Sequence, residues 1–386
     1  MSLNRRALAA LLATASTSAL AGRQRAQNFA GAGTVAGATT GGGGPSAGLQ
    51  ATIARARPDM AAVLTQLGEL GVQPVENLTV ERARDQPTPA DAVRRVLEGR
   101  GQPTAPRPMA EVRPVPIPGP GGVAIPARLY IPQTAATGRG GAMPLIVYWH
   151  GGGWVIADLD TYDASARALA AESGAMVLSA HYRQAPEHRF PAAHEDAVTA
   201  WRWAAANARR LGADPARKAV AGESAGGNLA INTAIAARDA RLPMPVHMAL
   251  IYPVAGTDTN TPSYRENTAA VPHSRAGMVW FVERVTRSPA DLQDPRLDLV
   301  GRADLRGLPP ATIATAEIDP LRSDGEALAG RLSAAGVPVE QRNWPGATHE
   351  FFGMAPAVSA AADAQAWVGE RLRRALSGAA RVAAVR

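Results

Sequence analysis

The sequence predicts an α/β protein: a mainly parallel central sheet with helices on both faces, preceded by a helical N-terminal segment. Three observations predict it. From about residue 123 onward, short apolar runs alternate with stretches of helical periodicity. The central runs, 145–149, 175–180, 219–222 and 311–316, are mostly apolar, as suits strands covered on both faces. Finally, 386 residues with 46% hydrophobic and 19% charged side chains suffice for one large sheet-centred core and an appended segment.

Residues 1–21 read as an export signal, with Arg5 and Arg6 ahead of the apolar stretch 7–20 and Ala19-Leu20-Ala21 as a cleavage site. This predicts a periplasmic or secreted protein, with a cytoplasmic one as the alternative. The stretch is too short to span a bilayer, so no stable membrane anchor is expected. Residues 22–48 are rich in Gly, Ala and Thr and read as a flexible linker. Residues 49–105 turn helical, with Ile53, Met60, Val63, Leu64, Leu67 and Leu70 at helical spacings. Pro58 marks a start, Gly71 a stop, and 89–97 a second helix.

Residues 106–386 form the main domain. Strand signals begin near Glu111 and recur at 123–131, 145–149, 175–180, 219–222, 246–252, 311–316 and 337–343. Helical stretches fall at 162–172, 194–211, 225–238, 324–335 and 356–376.

The absence of cysteine excludes disulfides, thiolate metal sites and a thiol nucleophile. The net charge of +7 raises nucleic-acid binding as a reading. The basic residues are scattered arginines with Lys218 the single lysine, and no recognition motif accompanies them, so no nucleic-acid partner is expected.

Gly222-Glu223-Ser224-Ala225-Gly226 falls between a predicted strand and a predicted helix. A G-x-S-x-G turn holds a serine hydroxyl above the sheet edge, and its neighbours must be small for the turn to close. The rival reading is a glycine-rich turn with a surface serine. A hydroxyl needs a base, and in chains built this way an acid and then a histidine follow the serine. His247, His273 and His349 follow Ser224. His247 lies in a strand-like run and His273 in an irregular region, whereas His349 sits in a loop after a strand. Asp319 stands at the end of the strand 311–316, where α/β sites form. Glu317 and Asp324 are rival acids; Glu317 reads as strand-directed and Asp324 as a helix cap. The expected triad is therefore Ser224, Asp319 and His349.

His150-Gly151-Gly152-Gly153-Trp154 follows the run 145–149. Consecutive glycines let backbone amides converge on one point, and with the amide of Ala225 they are expected to bind the negative oxygen of a tetrahedral intermediate. A phosphate cradle is disfavoured, because no Gly-Lys-Ser/Thr follows.

With these motifs in this order, the chain resembles the hormone-sensitive-lipase-like family of bacterial esterases. The run Tyr182-Arg183-Gln184-Ala185-Pro186-Glu187-His188, with Asp319-Pro320-Leu321 and His349-Glu350-Phe351-Phe352, completes the likeness over roughly residues 50–376. The resemblance implies the α/β-hydrolase fold, with Gly151, Gly152 and Ala225 supplying the oxyanion hole and the N-terminal helices forming a cap. It implies no cofactor and no metal, and hydrolysis of a short- to medium-chain small-molecule ester through an acyl-enzyme. Trp154, Tyr182 and Phe352 are expected to line the substrate pocket. Two departures stand out: Glu223 where many members carry Asp, and Ala157 where glycine is frequent. An amidase or acyltransferase with the same triad and a binding protein on this scaffold are the competing readings. A homodimer is one arrangement the sequence allows. With His349 as base, activity is expected to fall as pH drops through roughly 6 to 7.

Overall fold

The computed structural model describes residues 46–133 and 141–377. The putting together of the main sheet follows from the apolar runs. Its strands are β1 (Glu111–Pro114), β2 (Ala127–Ile131), β3 (Met143–Trp149), β4 (Met176–Ala180), β5 (Ala213–Glu223), β6 (Met248–Ile251), β7 (Ala311–Ile318) and β8 (Val339–Thr348). They lie in the order β1-β2-β4-β3-β5-β6-β7-β8. The ladder is parallel from β4 through β8, and β2 pairs antiparallel with both β1 and β4. A separate two-stranded ribbon joins Ile117–Pro118 to Ala124–Ile125. The α/β architecture with a mainly parallel sheet is thus as expected.

Twelve α-helices occur among the described residues. The N-terminal four are α1 (Ala47–Arg55), α2 (Pro58–Glu69), α3 (Val80–Asp85) and α4 (Pro89–Gly99). Next come α5 (Asp163–Ser173), α6 (Ala192–Leu211), α7 (Ala225–Asp239), α8 (Pro262–Glu266), α9 (Arg275–Val285) and α10 (Leu299–Arg302). The last are α11 (Arg322–Ala334) and α12 (Ser359–Leu376). Local signals set several boundaries. Pro58 and Pro89 occupy first turns, where a missing N–H costs nothing. Thr88 and Asp91 form a reciprocal capping box at α4.

Alternate residues along the strands feed two cores, as the period of a strand requires. Leu145, Val147 and Trp149 face one layer with Trp201 of α6 and Leu229 of α7. Ile146 and Tyr148 face the other, with Leu169 of α5, Val368 of α12 and Met60, Leu64 and Val93 of the N-terminal helices. Val75, Val80 and Ala83 join the first layer instead, beside Trp154 and Met278. The N-terminal segment thereby crosses from one face of the sheet to the other.

Three features depart from the sequence reading. The segment 262–302 carries α8, α9 and α10, which no periodicity argument had assigned. Helix α3 breaks the 49–105 stretch a third time, after Thr79 caps it. Strand β8 runs on through Pro345 to Thr348, with a register shift between Trp344 and Thr348. It is an edge strand, where a missing ladder donor is tolerated. The export-signal reading of 1–21 and most of the linker reading of 22–48 lie outside the described residues. Among the described residues, no helix is long and apolar enough to cross a membrane.

Candidate active site

Four groups of candidate residues leave the C-terminal ends of neighbouring parallel strands: the glycine loop after β3, Ser224 after β5, Asp319 after β7 and His349 after β8. Ser224 separates β5 from α7 with φ 55° and ψ −118°. A non-glycine residue held there stores about 1–3 kcal/mol of strain. Two backbone bonds clamp the turn, Ser224 N–H to Ile251 O at 2.9 Å and Val254 N–H to Ser224 O at 3.2 Å. The flanking glycines are obligatory. A Cβ on Gly222 would lie 2.1 Å from Gly226 O, and one on Gly226 would lie 2.0 Å from Trp149 O.

The structure brings the three expected side chains together. His349 Nε2 lies 3.0 Å from Ser224 Oγ, and His349 Nδ1 lies 2.7 Å from Asp319 Oδ2. All three residues are buried. Asp319 is fixed from behind, its Oδ1 accepting from Leu321 N–H at 2.8 Å. Burial disfavours a charged ring at His349, yet the Asp319 carboxylate outweighs it and raises the imidazole pKa above its ordinary value.

The rival groups lie elsewhere. Glu317 Oε2 accepts from Gly346 N–H at 2.7 Å, supporting the end of β8 before His349. Asp324 does not cap its helix. Its Oδ2 accepts from the amides of Ala255 and Gly256 at 3.1 and 2.9 Å, bracing the chain after β6. Burial pushes its carboxyl up to about 7. His247 Nε2 is 2.8 Å from Thr312 Oγ1, in the core.

The glycine loop curls above Ser224. Gly152 has φ +91°, and a Cβ there would lie 2.2 Å from Ile156 O. Gly152 and Gly153 line the same pocket as Ser224 and His349, whereas Gly151 does not. Gly151 is anchored by its carbonyl, which accepts from the Tyr182 hydroxyl at 2.8 Å. Of the loop glycines, the second and third therefore line the pocket and the first does not. Ala225 opens α7, where a helix leaves its first amides without intrahelical partners.

The pocket is walled by Leu67, Val72 and Val75 from the N-terminal segment, and by Val254, Met278 and Phe281 from the main domain. The three aromatics expected to line it do not. Tyr182 is spent on the carbonyls of His150 and Gly151, Trp154 packs beside His194, and Phe352 is fully buried with its carbonyl accepting from Gln365. Aromatic side chains this large more often fill cores than line sites, and these do. His273, Glu350 and Phe281 take their place in the lining. The sequence held a signal for Phe281: Ser274 caps α9, and Met278, Phe281, Val282 and Val285 recur at helical spacing. Nothing comparable marked His273.

Acidic side chains brace the surroundings. Glu223 accepts from the hydroxyls of Tyr148, at 2.7 Å, and Tyr252, and burial raises its carboxyl pKa. The charge therefore points beneath the turn and not into the pocket. Asp196 takes both the backbone and guanidinium N–H groups of Arg183. Glu187 forms a bidentate pair with Arg84 just after Ala83, tying α3 to the main domain. Ala157 has φ 67°, a conformation that favours glycine and accounts for the glycine its resemblance suggested. Among the described residues, no group of three or more His, Asp or Glu is arranged to hold a metal ion.

Residues 146–353 match the family profile of the alpha/beta hydrolase fold. The chain is 44% identical over 256 residues to the carboxylesterase NlhH of Mycobacterium tuberculosis, covering 65% of this chain and 79% of that protein. It is 36% identical over 256 residues to an ethyl acetate hydrolase of Pseudomonas putida, covering 66% and 79%. Among solved structures, the Pyrobaculum calidifontis esterase superposes with a TM-score of 0.71 at 36% identity, over 80% of this chain and 96% of that one.

Proposed function

Since the chain belongs to the alpha/beta hydrolase fold family, within its hormone-sensitive-lipase-like esterases, we propose that it hydrolyses carboxylic esters through Ser224, His349 and Asp319. One observation carries the mechanism: the unbroken hydrogen-bonded line from Ser224 Oγ through the His349 ring to Asp319.

Ser224 Oγ attacks the ester carbonyl while His349 Nε2 takes its proton. Asp319 keeps the ring in the tautomer that leaves Nε2 free to accept, and it stabilises the imidazolium that forms. The tetrahedral oxyanion sits against the amides of Gly152, Gly153 and Ala225, each worth about 3–4 kcal/mol of barrier. Collapse of the adduct expels the alcohol, which takes the proton back from His349. Water then repeats the sequence on the acyl-serine and releases the acid.

The apolar walls Leu67, Val72, Val75, Val254, Met278 and Phe281 suit a hydrocarbon acyl chain, and the name of the Pseudomonas relative, an ethyl acetate hydrolase, supports a short- to medium-chain ester. Residues 49–105 act as a cap over the pocket, and 106–386 as the catalytic domain. Export rests on the N-terminal residues alone.

The test is Ser224→Ala in an aryl-ester assay. Turnover is expected to fall by about 10⁴- to 10⁶-fold while the fold, read by circular dichroism, is kept. Equal rates in variant and parent reject the mechanism.

A further inference from the structure

His273 lies in the loop between α8 and α9, and its buried ring shares the pocket with Ser224 and His349. Its centroid is 4.7 Å from that of His349, with the planes inclined at 35°, and 6.0 Å from that of Phe281. What separates it from the other buried histidines is its hydrogen bonding. His150 is bonded to His181, His194 to Asn228, and His247 to Thr312. Among the described residues, the His273 ring makes no hydrogen bond; its Nε2 is fully enclosed without a partner, which leaves Nδ1 as the nitrogen a molecule in the pocket can reach.

A buried imidazole placed for packing alone would be better replaced by leucine or phenylalanine, since an unmet polar atom destabilises the fold. The apolar part of the lining, Leu67, Val72, Val254, Met278 and Phe281, offers no partner, and the polar part, Gln73, Gln86, Thr88 and Glu350 included, forms no hydrogen bond with it. Burial pushes the ring down to about 3, so near neutral pH it is uncharged, with one N–H to donate and one nitrogen to accept. No partner fixes which nitrogen carries the proton.

Position then narrows what it can bind. The alcohol oxygen of the ester must come within reach of His349 Nε2 to receive its proton. The alcohol half of the substrate therefore passes beside the ring that packs against His349. We propose that His273, through Nδ1–H, hydrogen-bonds an oxygen on the alcohol half of the ester, making the pocket selective for esters of oxygen-bearing alcohols over isosteric alkyl esters. This rests on the ester-hydrolase reading above. His273 is a specificity residue here and takes no proton in the reaction.

The test uses butyl butanoate and 2-methoxyethyl butanoate, which share the acyl group and differ by one CH₂ replaced by oxygen. Both are offered to the enzyme in one vessel, and the two alcohols are quantified over time. The ratio of their rates gives the ratio of kcat/KM, and is divided by the ratio for hydroxide-catalysed hydrolysis. For the parent this corrected ratio is expected to favour the ether ester about five- to tenfold. His273→Leu is expected to bring it to about one, and His273→Gln, which keeps a donor, to retain part of it. A parent ratio of one overturns the proposal without any variant, and so does an unchanged ratio in His273→Leu. Because the readout is a ratio within one preparation, a general loss of activity does not imitate the effect. No turnover of either ester by the parent would end the ester-hydrolase reading and this proposal with it. Turnover of both at the hydroxide ratio ends this proposal alone.

Discussion

His349 must be uncharged before it can accept a proton from Ser224, so its titration sets the acid limb of activity. The sequence places that limb between roughly pH 6 and 7 from the ordinary behaviour of histidine. The structure moves it upward. Burial favours the neutral ring, but Asp319 at 2.7 Å outweighs burial and holds the proton on more tightly. The sign is thus an earlier loss of activity on acidification, with half-maximal kcat/KM above about pH 6.5. Asp319→Asn removes the charge that raises the pKa. It should shift the limb to lower pH and cut the plateau by about 10⁴-fold. A pH profile of kcat/KM for the two proteins decides this, and a limb that stays in place would remove Asp319 from its role. At this scale the triad was legible because each member follows a strand signal. Which of the loop glycines line the pocket was not legible, because three consecutive glycines carry no side chain to tell them apart.

Helix and loop boundaries depend on contacts that are distant in sequence, and Asp324 illustrates this. Three residues into a helix, an aspartate reads as a cap. Yet α11 begins at Arg322 with no side-chain cap, and the carboxylate crosses to the amides of Ala255 and Gly256 after β6. No local pattern announces a bond 68 and 69 residues away. The consequence is a pH-dependent element. Burial pushes Asp324 up to about 7, and Asp319 and Asp258 add to it. In the unfolded chain the same group ionises near 3.8. Between those values the unfolded state gives up a proton that the folded state keeps. Stability from this group is complete below about pH 4 and lost as pH rises through about 7, by up to about 4 kcal/mol. Asp324→Asn keeps an oxygen for the two amides and removes the titration. The melting temperature of the variant relative to the parent should therefore climb from pH 4 to pH 7 and level off above it. A difference that is constant with pH would show that the carboxyl is ionised throughout. Helix α9 was missed for another reason. Its apolar periodicity is intact, but it follows a proline-bearing irregular stretch, and its partners Val75 and Leu78 come from the N-terminal segment.

For the molecule as a whole, the question is whether the N-terminal helices are a detachable lid or part of the same core. Amphipathic spacing shows that α2 has a buried face, but not what covers it. The structure places Met60, Val63 and Leu64 in one continuous apolar cluster with Tyr148 of β3, Phe351 and Val368 of α12. Arg84 pairs with Glu187 at another point of the segment, and Arg57 N–H reaches Gly346 O near the end of β8, just before His349. Cap and triad are thus fastened to the same strand end. A segment attached in this way should not melt separately. Leu64→Ala removes a buried side chain from the shared cluster and should lower global stability by about 2–5 kcal/mol. Calorimetry of parent and variant should each give one transition, with the variant's displaced to lower temperature. Activity and far-UV ellipticity should be lost together. Were the helices an independent lid, Leu64→Ala would instead produce an early, small transition that abolishes activity while the main unfolding event stayed where it was.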